Sequence, residues 1–497
     1  MRGTGLRQMH GASRRHGLKT RHLLDSRKLL STTVLYGIAD VIVMAVGGFL
    51  LLPLYTRTLS QAEFGTYVIV RANTEIFSYL LYFGLPSAVA RVYFDYKKAG
   101  QHLAYLSSVL VFFGLNLLLC GGLLALWGAD LWALLSPGTP ANPYLAYSVA
   151  IAAVGFVSAL GALWLRLDGR AKAFAALQVA TSVVLAGCAV LNLVVFKLGL
   201  PGLLLALLAS SACAGLVLPW LLGRGFRLRL QWAHIQDSLR YAGPILVGYV
   251  AYFVLNRIST LVLQRHVAVD QIAVFGLAQQ LAMMLTIAAT AFGKAQQPAV
   301  FAAEPAQAAE VLARSGALLR ALMLGVTCVL ILGASDLFRL MAPKSYAGGF
   351  EILLVLLVAN FAYSFSQVSD TALLYHRKPK TSVLVSIGGA VLSAGLSLWL
   401  VPAYHLMGAA LAIASTFAAM SLFSHWLAWR ITGQSYLLPM LWALAGAGAL
   451  ALFAAWLQRQ GLPLLVASGL KLAVGAALLG TTYVFYTRKQ QPTPCAP

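Results

Sequence analysis

VIVRANTEIF, residues 68–77, is the stretch on which the reading of this chain turns. Val68, Ile69, Val70, Ile76 and Phe77 belong in a membrane or a core, whereas Arg71 and Glu75 bring a cation and an anion into the same run. Residues at i and i+4 share a helix face. As a helix, the segment is therefore apolar over most of its circumference and carries one charged stripe. Charged groups are expensive in lipid and face a protein interior or a wet cavity. The stretch asks for a membrane helix with neighbours on its polar side.

The rest of the chain supplies them. Of 497 residues, 60% are hydrophobic and only 10% charged, and the mean hydropathy is +0.80. About 20 apolar residues span a bilayer as a helix, and such runs recur from end to end. Only helices and closed barrels satisfy every backbone group in lipid, and the alternation of barrel strands is absent. The expectation is an all-α polytopic membrane protein. Fourteen spans are placed at 31–54, 64–85, 103–127, 143–165, 173–196, 200–222, 241–263, 271–292, 316–338, 350–370, 382–402, 407–428, 437–456 and 463–485.

A formal net charge of +22 invites a nucleic-acid reading, but the positions of the charges argue against one. With the N-terminus inside, 26 arginines and lysines fall in the tail and in every second connection, against six on the other side. That asymmetry obeys the positive-inside rule, and both termini are expected in the cytoplasm of an inner-membrane protein. The first 28 residues form a basic tail suited to anionic lipid. Its SRRHGLK loosely resembles an export signal, yet charge continues to Lys28 and no apolar region follows directly. Five cysteines, without a CxxC pair, give neither a disulfide framework nor a metal site.

An internal repeat is visible. LYTRTLSQAEFGTY (54–67) echoes VLQRHVAVDQIAVF (262–275) at an offset of 208, and FKLGLPGLLLALLAS (196–210) echoes PAYHLMGAALAIAST (402–416) at 206. Two copies of six spans share orientation, so the axis relating them lies along the membrane normal. Transporters built on repeats place the substrate site between the copies. The expected organisation is a tail at 1–28, six-helix lobes at 29–222 and 223–430, and two further helices and a tail at 431–497.

Arg71 lies seven residues into span two, about 10 Å deep at 1.5 Å per residue, and Glu75 is one turn deeper. Asp40 sits in the middle of span one, Arg257 in span seven at a depth comparable to Arg71, and Gln279 and Gln280 in span eight, with Gln279 at the repeat position of Arg71. These residues are the candidate substrate-binding set: Arg71, Arg257, Asp40, Glu75 and Gln279. Blander readings stand beside it. Arg71 and Glu75 can be an ion pair that fixes helix packing, Arg257 can snorkel to the surface, and Asp40 can serve as interhelical hydrogen-bond glue. Lys471 reads as structural and Asp370 as a surface group. GxxxxGK[ST], HExxH and GxSxG are absent, so no cofactor, metal or catalytic residue is expected.

LLPLYTRTLSQAEFGTYVIV (51–70) followed by FGLPSAVARVYFDYKK (83–98) resembles the oligosaccharide flippases of the Wzx type, members of the superfamily that also holds the MATE drug exporters and the lipid II flippases. FGKAQQPAVF (292–301) extends the likeness more loosely. The resemblance implies two six-helix lobes around a cavity open to one side at a time, and a polyprenyl-diphosphate-linked oligosaccharide as substrate. Cavity arginines and acids of the family would correspond to Arg71, Arg257, Asp40 and Glu75. The implied partners are that substrate, membrane lipid and a glycan polymerase of the same pathway, with the chain a monomer. The alternatives are a MATE-like cation-coupled drug antiporter and a membrane glycan polymerase or ligase. The longest outward loop, near 128–142, is short for the latter.

Overall fold

The computed structural model describes residues 41–223, 226–302, 305–376, 379–433 and 437–460, together with residues 35, 37 and 39. These form thirteen helices: α1 Val41–Thr58, α2 Gln61–Tyr82, α3 Leu85–Lys98, α4 His102–Leu135, α5 Tyr144–Leu167, α6 Ala171–Val195, α7 Gly199–Leu222, α8 Trp232–Leu263, α9 Val269–Ala302, α10 Pro305–Met341, α11 Gly349–Tyr375, α12 Pro379–Thr432 and α13 Leu437–Arg459. Among the described residues, eleven helices are long and apolar enough to cross a membrane. The charges of α2 keep it out of that set, although its 22 residues suffice for a span. α12 holds two spans: Pro402 removes a backbone donor, and His405 takes a left-handed φ of 50° inside it. Spans two to thirteen fall on these helices and α1 covers the later part of span one, while span fourteen at 463–485, Lys471 and Asp40 lie outside the described residues.

Among the first helices, α5 packs on α7, α6 on α7 and α2 on α5. Farther along, α8 packs on α12, α9 on α11 and α11 on α12, with α13 against α10 and α11. α8 also touches α2, α3 and α4, and α9 crosses α2. Large apolar side chains such as Leu118, Leu126 and Trp127 of α4 are exposed, as a lipid-facing surface requires.

The backbone carries the repeat as well. Lys197 and His405, 208 residues apart, are two of three described non-glycine residues with positive φ (51° and 50°). Gly202 and Gly408, matched in the second echo, are both tight spots: an added Cβ would lie 2.8 Å from Leu198 Cβ at the first and 2.1 Å from the Leu400 carbonyl oxygen at the second. Val68 and Gly276 are again 208 apart, and a Cβ on Gly276 would come within 2.5 Å of Val68 Cγ2. A residue touches its own repeat counterpart where a twofold axis passes.

The motif TLSQAEFG acquires a structural task. Ser60 caps α2: its Oγ accepts the Glu63 amide at 3.2 Å, while the Glu63 carboxylate accepts the Ser60 amide at 2.9 Å. This reciprocal capping box fixes the start of the charged helix. The other Glu63 oxygen accepts the Leu200 amide at 3.2 Å, which ties the connection to α7. Gln61 donates to the Asp270 carbonyl at 3.0 Å, Arg57 to the Leu340 carbonyl at 3.0 Å and Arg265 to the Leu134 carbonyl at 3.0 Å. Phe64 is fully buried, and its ring centroid lies 6.1 Å from that of Tyr346.

This end of the bundle is therefore closed, and α2 and α9 cross there at backbone distance. A Cβ on Gly65 would lie 2.1 Å from the Val269 carbonyl oxygen, and backbone cannot step aside as a flexible side chain can. Gly65→Val should lower the thermal midpoint by an amount equivalent to about 1–3 kcal/mol of overpacking. It should also make a cysteine placed at Val269 more reactive toward a water-soluble maleimide. Unchanged reactivity would show that the crossing is not the closure.

Candidate functional site

The face of α2 that begins with Tyr67 continues at four-residue intervals through Arg71, Glu75 and Tyr79. α8 supplies the opposing wall with Tyr249, Tyr252, Phe253, Asn256 and Arg257. The two helices meet at a fork. Arg257 Nε donates to Glu75 Oε2 at 2.8 Å and Nη2 to Oε1 at 2.6 Å. Parallel charge-assisted bonds of this kind are the strongest geometry an arginine offers a carboxylate. The side chains retain 15% and 35% of their exposure respectively, so the pair is enclosed without being dry.

The expected Arg71–Glu75 pair is thus corrected. Both carboxylate oxygens belong to Arg257, and Arg71, in electrostatic reach of Glu75, lies against the Tyr67 hydroxyl, with Tyr55 nearby. Two side chains one turn apart point along the same face, whereas α8 brings its arginine in from across the gap. The fork also corrects the snorkelling reading of Arg257. Arg71 is exposed to solvent on the α2 face that Glu75 and Arg257 bridge to α8, which places it at the lining of the cleft between the two helices. Tyr252, on the facing wall, is 50% exposed.

Below the fork the cleft is aromatic. Tyr79 and Tyr249 stack with centroids 5.8 Å apart and planes 21° apart, and Phe253 meets Tyr79 edge-on at 6.1 Å. The Tyr249 hydroxyl contacts Ser87 Oγ. Tyr79 and Tyr252 lie in electrostatic reach of both Glu75 and Arg257, and Tyr363 of α11 approaches Tyr252. The spacing of Tyr79 from Glu75 was a signal available in the sequence. The contribution of Tyr249 and Tyr252 was not, because it depends on how α8 is rotated.

Gln279 does not join Arg71. It is buried, donates to the Asn256 carbonyl at 3.1 Å and lines a small chamber with Asn256, Met283, Thr286 and Asn360. Its neighbour Gln280 faces the other way and donates to the Gly48 carbonyl at 2.6 Å. Gly48 lies in the π-helical turn Val46–Leu50 of α1, where the widened ladder leaves carbonyls for outside donors. Asp370, expected at the surface, is half-buried in α11 and accepts from Ser382 Oγ at 2.9 Å. Arg320 in α10, a cation within span nine, lies near Gly316 and His425. No group of three metal-ligating side chains occurs among the described residues.

Many long apolar helices around a charged and aromatic cleft define a multi-pass helical membrane protein. The family described as "Polysaccharide biosynthesis protein" matches residues 30–303, more than half of the chain, and the chain belongs to that family. Among solved structures, the lipid II flippase MurJ in an inward closed conformation aligns with a TM-score of 0.66 at 12% identity, covering 94% of this chain and 99% of that one. An inward-facing multidrug resistance MATE family transporter of the MOP superfamily aligns with a TM-score of 0.60 at 17% identity, over 84% of this chain and 94% of that one. An outward-facing form of such a transporter gives a TM-score of 0.57, again at 17% identity, over 84% and 96%. At these identities the likeness speaks for the fold. Comparison with curated proteins gives no match.

Proposed function

We propose that this protein is a flippase that moves a polyprenyl-diphosphate-linked oligosaccharide across the cytoplasmic membrane by alternating access, for surface polysaccharide synthesis. The observation that carries the reading is Arg71, a cleft-lining guanidinium that forms no salt bridge with a carboxylate among the described residues. A diphosphate cannot cross hydrocarbon unaided, and a guanidinium offers phosphate oxygens a permanent charge and a planar fork. Arg257 sits one helix away, held by Glu75 until a competing anion arrives. The ring faces of Tyr79 and Tyr252 suit the apolar faces of sugars. Membership of the polysaccharide biosynthesis family supports the substrate class.

In this reading, residues 29–222 and 223–430 form the moving lobes, and α13 rides on the second. Both termini are cytoplasmic, the chain works as a monomer without cofactor, and a glycan polymerase follows it. A strain lacking the gene should accumulate the lipid-linked precursor on the inner leaflet and lose a surface polysaccharide, and a plasmid copy should restore both. Normal surface glycan in a strain without a redundant flippase would overturn the reading. Altered drug efflux with unchanged glycan would point to a drug antiporter instead.

A further inference from the structure

Between α7 and α8 runs the segment FRLRLQW, residues 226–232. It is neither helix nor paired strand through Gln231, yet its backbone is pinned. Ser107 Oγ of α4 accepts the Arg229 amide at 2.6 Å and donates toward the Arg227 and Arg229 carbonyls at 2.9 and 3.0 Å. Ser108 Oγ accepts the Gln231 amide at 3.0 Å and meets His234 Nδ1 at the same distance. Both serines are fully buried. Two hydroxyls thus satisfy one edge of an extended strap that has no partner strand, as buried backbone groups require.

Successive side chains of an extended chain point to opposite faces. Phe226, Leu228, Leu230 and Trp232 then share one face, and Arg227, Arg229 and Gln231 the other. Leu228 is 68% exposed, Leu230 43% and Trp232 55%, so the apolar face is left open over these three side chains, with only Phe226 half-buried. Arg227 and Arg229 are exposed too, and neither guanidinium is held in a salt bridge among the described residues. The strap lies where α4 and α8 begin, at the end of the bundle where arginines and lysines collect. An apolar face and a cationic face, fixed in register at the rim of a membrane bundle, match the boundary between acyl chains and phosphates.

We infer that residues 226–232 are an interfacial strap that binds the headgroups of anionic phospholipid, Leu228, Leu230 and Trp232 entering the acyl boundary while Arg227 and Arg229 meet the phosphates. The inference is independent of the cargo. It assigns the connection between the proposed lobes a lipid partner and leaves the cleft untouched.

The full-length protein in detergent, titrated with phosphatidylglycerol or phosphatidylcholine, tests it by thermal midpoint. Phosphatidylglycerol should raise the midpoint and phosphatidylcholine should not. Inorganic phosphate alone should do nothing, and a phosphate effect equal to the lipid's would overturn a lipid site. Arg227→Gln with Arg229→Gln should need about 25-fold more phosphatidylglycerol for the same rise, from about five-fold for each arginine at an anionic surface. Arg91→Gln with Lys98→Gln removes as much charge from the same end and should shift the titration far less. Equal shifts in the two pairs, or none in the strap pair, would overturn the inference in favour of general charge. Should the glutamine pair fail to accumulate, Arg227→Lys with Arg229→Lys decides: it keeps the charge and must keep the response, and its loss would overturn a phosphate contact.

Discussion

Arg71→Ala should leave the protein in the membrane at its normal level and reduce glycan export by about 10- to 150-fold. The range is that of one charge-assisted hydrogen-bonding group, about 1.5–3 kcal/mol, converted at about 1.4 kcal/mol per decade. The level should hold because Glu75 already has a partner in Arg257, so removing Arg71 strands no carboxylate. Arg71→Lys keeps the charge but loses the fork and should export at an intermediate rate. Export is read as surface polysaccharide per cell against membrane-bound protein. Full export by the alanine variant would show that Arg71 does not meet the substrate, and the anion site would then move to Arg257 released from Glu75.

The architecture could be read from the chain because its signals are local. Apolar runs, basic connections and two echoes lie in consecutive residues, and the helices fall where those runs do. The stripe on α2 was equally legible, since Tyr67, Arg71, Glu75 and Tyr79 follow helical spacing. What the stripe faces was not. Glu75 has a cation four residues away in sequence and takes another 182 residues away, because bidentate geometry requires an approach from a neighbouring helix. The same limit explains Gln279 and Gln280. Adjacent residues on a helix point about 100° apart, and a repeat alignment uncertain by one residue exchanges the chamber for the contact with Gly48. Asp370 looked superficial because it stands near the end of a span, but Ser382 from the next helix covers it. The strap was hidden for a different reason. FRLRLQW has a clear period of two, yet inside a basic connection it reads as topology until buried serines are seen holding its backbone.

The second large effect is expected at Glu75. Breaking a buried ion pair from one side costs about 3–5 kcal/mol, because the remaining charge stays uncompensated. Glu75 is about a third exposed, and screening by water reduces the figure to about 2–3 kcal/mol. Glu75→Gln should therefore lower the thermal midpoint and the amount of protein in the membrane. Arg257→Gln should do less harm, for two reasons. A stranded carboxylate can take up a proton, whereas a guanidinium cannot shed one. Arg71 also lies in electrostatic reach of Glu75 and offers partial compensation. The double change Glu75→Gln with Arg257→Gln removes both charges, keeps hydrogen-bonding capacity and should restore the midpoint to near that of the unaltered protein. If Arg71 were the true partner of Glu75, the pattern would invert: Arg71→Gln would destabilise, Arg257→Gln would be neutral, and the rescue would belong to the pair Arg71→Gln with Glu75→Gln. Four midpoints and two double variants separate the arrangements. Transport in the rescued Glu75–Arg257 double variant then carries separate information. Normal level with export lost means that Arg257 also handles the anion, and normal level with export retained means that the fork only holds α2 to α8, leaving the anion to Arg71.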